Sequence, residues 1–488
     1  MPVGLVFSNN VAASPVGGLG DPNARTFMAG ITERGPVVAT PVNSLASYIA
    51  QFGVRQSWCG AMYDAAQCFF NEGGTDLYVA RVVGAGATPA TLVLVDRAGT
   101  PLPTITINAE NKGSYGSEIT VAVTAGVPSG VTITIYDNGV QVDQFLNLPD
   151  PATIATAVSN SVWVNAVNMG SASVGVLALP ALMAATPLAG GNDQRAAVVA
   201  ATIVSGFAAF GADLGPGAVM APGYAADLVG VGLVAHCISV NTRIALLSGP
   251  PDNNLPGMKA LVATIQTAYP KQSDYAGLFG PYLLINDGSA VRAIEPTAYV
   301  AGVRAKAINA NGFQQSPAGT ISNATWVIGL ATPLDSVANN AYNDAQINGI
   351  TQYRGAVRLY GWRSLSTDLV NYWDLTNRSI ANAIQDLVIQ AADPFVFDTI
   401  DGTGVLFAAL SGAILGLLGT AALNNAFYPM FLPDGTQSDP GYTVAVSLAG
   451  QTVANYPNTI VVTVGFRPSP TADLIKVNIT LAGLGVAL

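Results

Sequence analysis

The chain has 488 residues, of which 10% are charged and 50% hydrophobic, and its net charge is −10. A charged fraction so far below the roughly 25% of ordinary soluble domains means that the chain either sits in lipid or has much of its surface covered by other protein. Its 19 lysines and arginines are outnumbered by 29 acids and form no cluster, which excludes a surface that tracks a phosphate backbone or an anionic membrane.

This length admits roughly two to four domains with sizeable cores. The three cysteines, Cys59, Cys68 and Cys237, contain no C-x-x-C spacing, and an odd count argues for buried reduced thiols rather than a disulfide framework. The single histidine, His236, stands beside Cys237 in an apolar run and is read as core rather than as part of a nucleophile site. No paired carboxylates, metal-ligand spacing or nucleophile motif can be found, so no catalytic residue, cofactor-binding residue or metal ligand is assigned, and the chain is read as not an enzyme.

Met1–Arg25 is rich in proline and glycine, but Val3, Leu5 and Phe7 alternate, and such an end can add a strand to another chain's sheet. Thr26–Pro36 reads as a strand ending in a turn, and Leu45–Phe52 as a short helix capped by Asn43 or Ser44. Trp58, Met62, Ala65, Ala66, Phe69 and Phe70 recur at helical spacing, Gly73-Gly74 ends that helix, and Leu77–Val83 is a buried strand. Together these form a strand–helix–strand unit. From Ala98 to Gly191 the composition shifts to Val, Thr and Ile, with strands over Ile105–Ala109, Ile119–Val123 and Val131–Tyr136 and a hairpin turn at Asn138-Gly139. This predicts an inserted β module, a small sandwich.

Strands and helices then alternate: strand Gly217–Ala221, helix Tyr224–Asn241, strand Arg243–Leu247, helix Met258–Tyr269, strand Tyr282–Ile285. The pattern is an α/β layer on a mainly parallel sheet. It lacks G-x-G-x-x-G and G-x-x-x-x-G-K-[ST], and Ser248-Gly249-Pro250-Pro251 after a strand lacks the amides a phosphate needs. Ala338–Asp344 is a polar, turn-prone run. Beyond it, Ile347–Leu365 alternates, with Val357, Leu359 and Gly361 toward a core and Arg358, Tyr360 and Trp362 toward a partner surface. Asn377–Ala392 is an amphipathic helix stopped by Asp393-Pro394, and Phe395-Val396-Phe397 reads as a strand. Val405–Leu423 is continuously apolar or small and carries Gly412-x-x-x-Gly416, but its flanks, Asp401 and Asn424, are not basic. It is read as a buried helix, the alternative being a membrane span. Ile460–Phe466 and Leu474–Thr480 are the last strands.

Several runs occur in the order of one known family. They are Gly30-Ile-Thr-Glu-Arg-Gly-Pro36; Phe69-Phe70-Asn71-Glu72-Gly73-Gly74; Tyr78-Val79-Ala80-Arg81-Val82; Leu188-Ala189-Gly190-Gly191-Asn192-Asp193; Glu295-Pro296-Thr297-Ala298-Tyr299-Val300-Ala301-Gly302; Asn348-Gly349-Ile350 with Tyr360-Gly361-Trp362-Arg363-Ser364-Leu365-Ser366; and Pro468 to Ile475. In this succession the chain resembles the contractile phage tail sheath proteins. It departs from their usual pattern at Glu72, Tyr115, Ser117, Thr297, Tyr360 and Ser364.

The resemblance implies a mixed α/β multidomain chain: an inner α+β domain built from both chain ends, with an inserted β-sandwich-like module and an α/β module. The divisions are an N-terminal arm at 1–25, the N-terminal part of the sheath core at 26–97, the β module at 98–192, the α/β module at 193–338, a tube-facing inner domain at 339–470 and a C-terminal arm at 471–488. It implies a homo-oligomer of stacked six-fold rings around a tail tube, assembled in the host cytoplasm into a virion. That sheath contracts to drive the tube through the host envelope for genome ejection. Baseplate and tail terminator proteins would be further partners, with no direct nucleic-acid contact and no membrane insertion. Val3, Leu5 and Phe7 would form one intersubunit arm strand and Leu474, Ile475, Val477 and Ile479 the other, while Arg354, Arg358, Arg363 and Arg378 could face the tube, the alternative being that they pair internally with Asp368, Asp374 or Asp386. The alternatives are the sheath of a non-phage contractile injection system or a membrane-anchored protein using 405–423.

Overall fold

The computed structural model describes residues 21–252, 254–288, 290–400, 402–449 and 459–472. The chain opens with β1 (Thr26–Gly30), β2 (Thr40–Val42), α1 (Leu45–Phe52), α2 (Gly60–Asn71) and β3 (Leu77–Arg81). Ser44 caps α1, its hydroxyl accepting from the Ser47 amide at 3.1 Å. β1 and β3 are parallel, as the strand–helix–strand reading requires.

A β-rich stretch follows: β4 (Thr91–Val95), β5 (Pro103–Ala109), β6 (Ile119–Ala125), β7 (Val131–Asp137), β8 (Val140–Leu148), α3 (Pro151–Val158), β9 (Val164–Asn168) and β10 (Met183–Pro187). These strands make two sheets, β4-β5-β9 and β10-β6-β7-β8, which share one core of Ile105, Ile107, Val121, Val123, Ile133 and Ile135. Asn138 and Gly139, at φ 48° and 79°, make the β7–β8 turn. The first strand of this pair of sheets starts at Thr91, ahead of the division expected at 98.

The central part comprises α4 (Ala200–Gly206), β11 (Gly217–Met220), α5 (Ala226–Val240), β12 (Arg243–Ser248), α6 (Leu255–Ala268), β13 (Ala276–Gly280), β14 (Leu283–Asn286), β15 (Val291–Ile294) and α7 (Pro296–Asn311). Then come β16 (Gly329–Leu330), α8 (Ser336–Asp344), β17 (Ile347–Tyr353), β18 (Ala356–Leu359), α9 (Leu375–Ala392), α10 (Val405–Leu423), β19 (Met430–Phe431), β20 (Gln437–Asp439), β21 (Tyr442–Leu448) and β22 (Ile460–Phe466).

Eight strands form one sheet in the order β18-β17-β13-β12-β11-β1-β3-β2, parallel except at the two edge pairs. β1, β3, β11, β12 and β13 are buried along their whole length, which explains their unbroken apolar sequences. Alternate side chains feed two cores. Met28, Leu77, Val79, Met220, Ile244 and Leu246 face one, beside α2 and α7. Phe27, Ala29, Tyr78, Val219, Ala245 and Leu247 face the other, beside α5 and α6.

The sheet bears on several expectations. β17 pairs with β13, so the division at 338/339 runs between neighbouring strands. Among the described residues, no strand of 26–81 pairs with one of 430–466, so the described parts of the two chain ends do not share a sheet there. The expected strand at Tyr282–Ile285 lies in a separate antiparallel sheet, β15-β14-β16, and the parallel sheet uses Ala276–Gly280 instead. Ala338–Asp344 is helical, its start capped by Asp335 at 2.8 Å from the Ala338 amide. Phe395 to Phe397 is not a strand: a short 3-10 turn ends at Phe395 and Phe397 takes φ 73°.

Glu72, one of the departures from the family pattern, has a defined role. It is buried at the end of α2, and its carboxylate accepts the amides of Thr325, Trp326 and Val327, each at 2.9 Å. α7 lies against the same helix, and a Cβ on Gly302 would stand 2.8 Å from the Phe69 carbonyl oxygen. The close approach of α2 and α7 therefore requires glycine there. Replacing Glu72 by Ala strips the acceptor from three amides. At about 1–3 kcal/mol for each buried unmet donor, the expected loss in urea unfolding is at least about 3 kcal/mol, and Glu72→Gln should lose less.

Candidate functional site

His236 and Cys237 offer no chemistry. Burial, helped by the nearby Arg243 charge, lowers His236 to about 4, and burial pushes the Cys237 thiol up. At pH 7 the pair holds neither imidazolium nor thiolate. All three cysteines are buried and free. Among the described residues no group of three metal-ligating side chains comes together.

The features that point to a role are surfaces. β21 and β22 form a two-stranded hairpin that, among the described residues, pairs with no further strand. Tyr442, Val444, Val446, Ile460, Val462 and Val464 point to one side, where they pack against Leu410, Ile414 and Leu418 of α10. Thr443, Ala445, Val461 and Thr463 face outward. Among the described residues no strand covers either outer edge of the hairpin, and such an edge presents main-chain donors and acceptors to an extended segment.

α10 is not the buried helix expected. Its Leu406, Leu410, Ile414, Leu418 and Ala421 are buried, but only 28% of its most apolar window is covered. The opposite side, with Val405, Ala408, Gly412, Leu415, Gly416 and Leu423, is exposed and carries no charge. By length and composition it is the one helix among the described residues that could cross a membrane, with a mean hydropathy of 2.0.

The four arginines separate into two pairs. Arg354 and Arg358 lie on the β17–β18 hairpin, Arg354 in its two-residue turn, with Arg354 and Gly355 at φ 50° and 84°. Arg354 is exposed. Arg358 bonds the Asn323 amide oxygen, and both guanidinium groups approach the Tyr353 ring, at 5.3 and 5.7 Å. Arg363 and Arg378 are engaged internally. Arg363 pairs with Asp374 at 2.5 Å and stacks on Trp373. Arg378 donates to buried Asp274 at 2.6 Å and lies 4.3 Å from the centroids of both Tyr275 and Tyr372. Trp362, expected on the outward side, is buried against Phe279 with ring centroids 5.7 Å apart. The chain leaves the β18 strand at Leu359, so its strict alternation does not extend to 362. Val3, Leu5, Phe7, Leu474, Ile475, Val477 and Ile479 lie outside the described residues.

No protein-family model and no curated protein matches the sequence. Solved structures do. The sheath tail protein of Listeria innocua gives a TM-score of 0.61 at 15% identity, with 90% of this chain and 94% of that one covered. The sheath tail protein of Desulfitobacterium hafniense gives 0.54 at 14% identity, with 91% and 96% covered. The helical sheath of the anti-feeding prophage in its contracted state gives 0.55 at 12% identity, with 98% and 99% covered. The chain therefore has the fold of contractile sheath proteins, in agreement with the motif resemblance.

Arg378 supplies a stability test. Burial raises the Asp274 carboxyl above its ordinary value, and the Arg378 charge and hydrogen bond pull it down. Arg378→Met leaves a buried carboxylate without its counter-charge, which costs about 3–5 kcal/mol. A carboxyl whose folded pKa is raised is favoured by protonation, so the loss should be largest at pH 7 and shrink as the pH falls through the raised pKa. Thermal melts of both proteins from pH 7 to 4 measure this.

Proposed function

We propose that this chain is the subunit of a contractile sheath. It polymerises as stacked six-fold rings around a tube, and contracts to drive that tube through a cell envelope. The observation that carries this reading is the span of the likeness: at least 90% of this chain and 94% of each of the three sheath structures.

In this reading the arm strands, Val3–Phe7 and Leu474–Ile479, extend the sheets of neighbouring subunits. The open edges of the β21–β22 hairpin support it, because main-chain pairing is strong and independent of particular side chains. Pairing of that kind survives rotation of one subunit against the next, which contraction demands. The extended state is then held by a barrier rather than by equilibrium, and tighter packing in the contracted state supplies the work. Tube contact falls to Arg354 and Arg358, since the charges of Arg363 and Arg378 are neutralised by carboxylates within the chain, whereas Arg358 bonds only an uncharged amide.

A second reading, the sheath of a non-phage injection system, rests on the likeness to the anti-feeding prophage; capsid and terminase genes beside this one would exclude it. The membrane-anchored alternative rests on α10 alone, and extraction by carbonate would dispose of it.

Concentrated purified protein should form hollow tubes with six-fold end views in negative stain. Deleting Pro2–Val16 should leave soluble monomers in sedimentation velocity with an unchanged melting temperature. Ordered sheaths from the truncated protein would remove the arm assignment.

A further inference from the structure

An open groove of about 820 Å³ runs between the loop that precedes α9 and the end of β22. Leu369, Val370 and Tyr372 line it from the loop, and Tyr428, Val464 and Phe466 from the hairpin side. Leu369 is 55% and Val370 88% exposed. Their loop is built rather than slack. The Asp368 carboxylate accepts the Val370 and Asn371 amides at 3.1 and 3.0 Å, and the Asn371 carbonyl accepts the Asn377 side-chain amide at 2.8 Å. A fixed loop that holds two large apolar side chains in solvent marks a surface to be covered.

The course of the chain points to what covers it. β22 ends at Phe466, and Pro468 and Pro470 beyond it line the same groove. The Thr471 hydroxyl then donates to the Asp374 carboxylate at 3.3 Å, and Asp374 is itself part of the lining. Residues 473–488 follow and lie outside the described residues. That segment therefore starts at the groove. In its sequence Ile475, Val477, Ile479 and Leu481 alternate with Lys476, Asn478 and Thr480, so an extended chain there has one wholly apolar side. Tethering favours it over any other occupant. A segment joined to a site by a few residues meets it at an effective concentration on the order of millimolar, well above that of free copies in dilute solution.

We propose that in the unassembled chain residues 473–481 lie in their own groove, with the apolar side against Leu369, Val370, Tyr428 and Phe466. The covering contact is then intramolecular. It also sets a condition on assembly, a step that rests on the sheath reading as the seating itself does not. The segment must leave its own groove before it can pair with a neighbour, which is a domain swap. Free subunits stay single until neighbouring copies are concentrated enough to rival the tether.

The test is disulfide trapping in the full chain. Val370→Cys is combined in turn with Ile475→Cys, Val477→Cys and Ile479→Cys. The chain's own three cysteines are buried and stay out of the reaction. A control pairs Val477→Cys with Val174→Cys, a position 80% exposed in the β-rich stretch. Dilute protein is oxidised and its products separated without reductant. The expected result is that at least one Val370→Cys pair closes within single chains, at a rate independent of protein concentration, while the control stays open. No closure, closure only between chains at a rate that rises with concentration, or equal closure in the control overturns the proposal. The trapped protein should also fail to polymerise until it is reduced. If trapped chains still build sheaths, the arm reading fails and the seating stands. Because trapping is read on unassembled protein, a chain that never polymerises leaves its result intact.

Discussion

The constraint on which the rest depends is burial of the central sheet on both faces. In β1, for example, Phe27 and Ala29 enter one core while Met28 enters the other. A slip of one residue would send each side chain to the opposite core, so the register is pinned from both sides. Parallel strands cannot be joined by short hairpins, and each crossover brings a helix that covers a face. α2 and α7 therefore lie on one side and α5 and α6 on the other. The cost of reaching this arrangement is the closure of long loops, which the two cores repay together rather than strand by strand.

Rigidity extends from this sheet into the β-rich stretch through two arginines. Arg34, just after β1, pairs with Asp137 at 3.0 Å, bonds the Tyr115 hydroxyl and lies 4.9 Å from the Trp163 ring centroid. Arg81, at the end of β3, is buried against Asp193, which Arg195 and Ser114 also hold. Removing one member of such a buried set leaves an uncompensated charge, so the joint resists opening. The β-rich stretch is thus joined to the central sheet at two points. The β21–β22 hairpin is tied to the rest through its apolar packing on α9 and α10, the Tyr428 amide on the Arg467 carbonyl, the Ser469 amide on the Ala426 carbonyl and the Arg467–Asp439 pair.

The sequence made some of this legible and concealed the rest for physical reasons. α2 could be read because its apolar residues recur on one face, and the β7–β8 turn because Asn-Gly favours positive φ. α7 has no periodicity to read: it is buried on nearly every side, so its polar face is missing. β13 is a short Ala-Gly-Leu-Phe-Gly run, weak in strand propensity, and it is held by its neighbours on both sides. α8 was hidden by its asparagines, which favour turns until an Asp cap and the contact with β17 decide otherwise. Internal pairing of Arg363 with Asp374 was legible from their nearness in the chain, but the partner of Arg378 was not, because that carboxylate lies 104 positions earlier. The family motifs, by comparison, carried more than local patterns could, since their order along the chain is itself information about topology.

Composition and surface finally explain one another. A soluble monomer normally surrounds its exposed helices with charge, whereas α10 presents Val405, Leu415 and Leu423 to solvent with no charged residue between them. Phe397 stands fully exposed nearby in the sequence, and Tyr428, Met430, Phe431 and Leu432 follow the helix, all exposed. An apolar stretch of this extent marks a surface meant to be covered. The charged fraction of 10% is then no oddity of composition. Residues that meet another subunit need shape and open main-chain edges more than they need solvation. A surface of that kind has few places where a charge is useful.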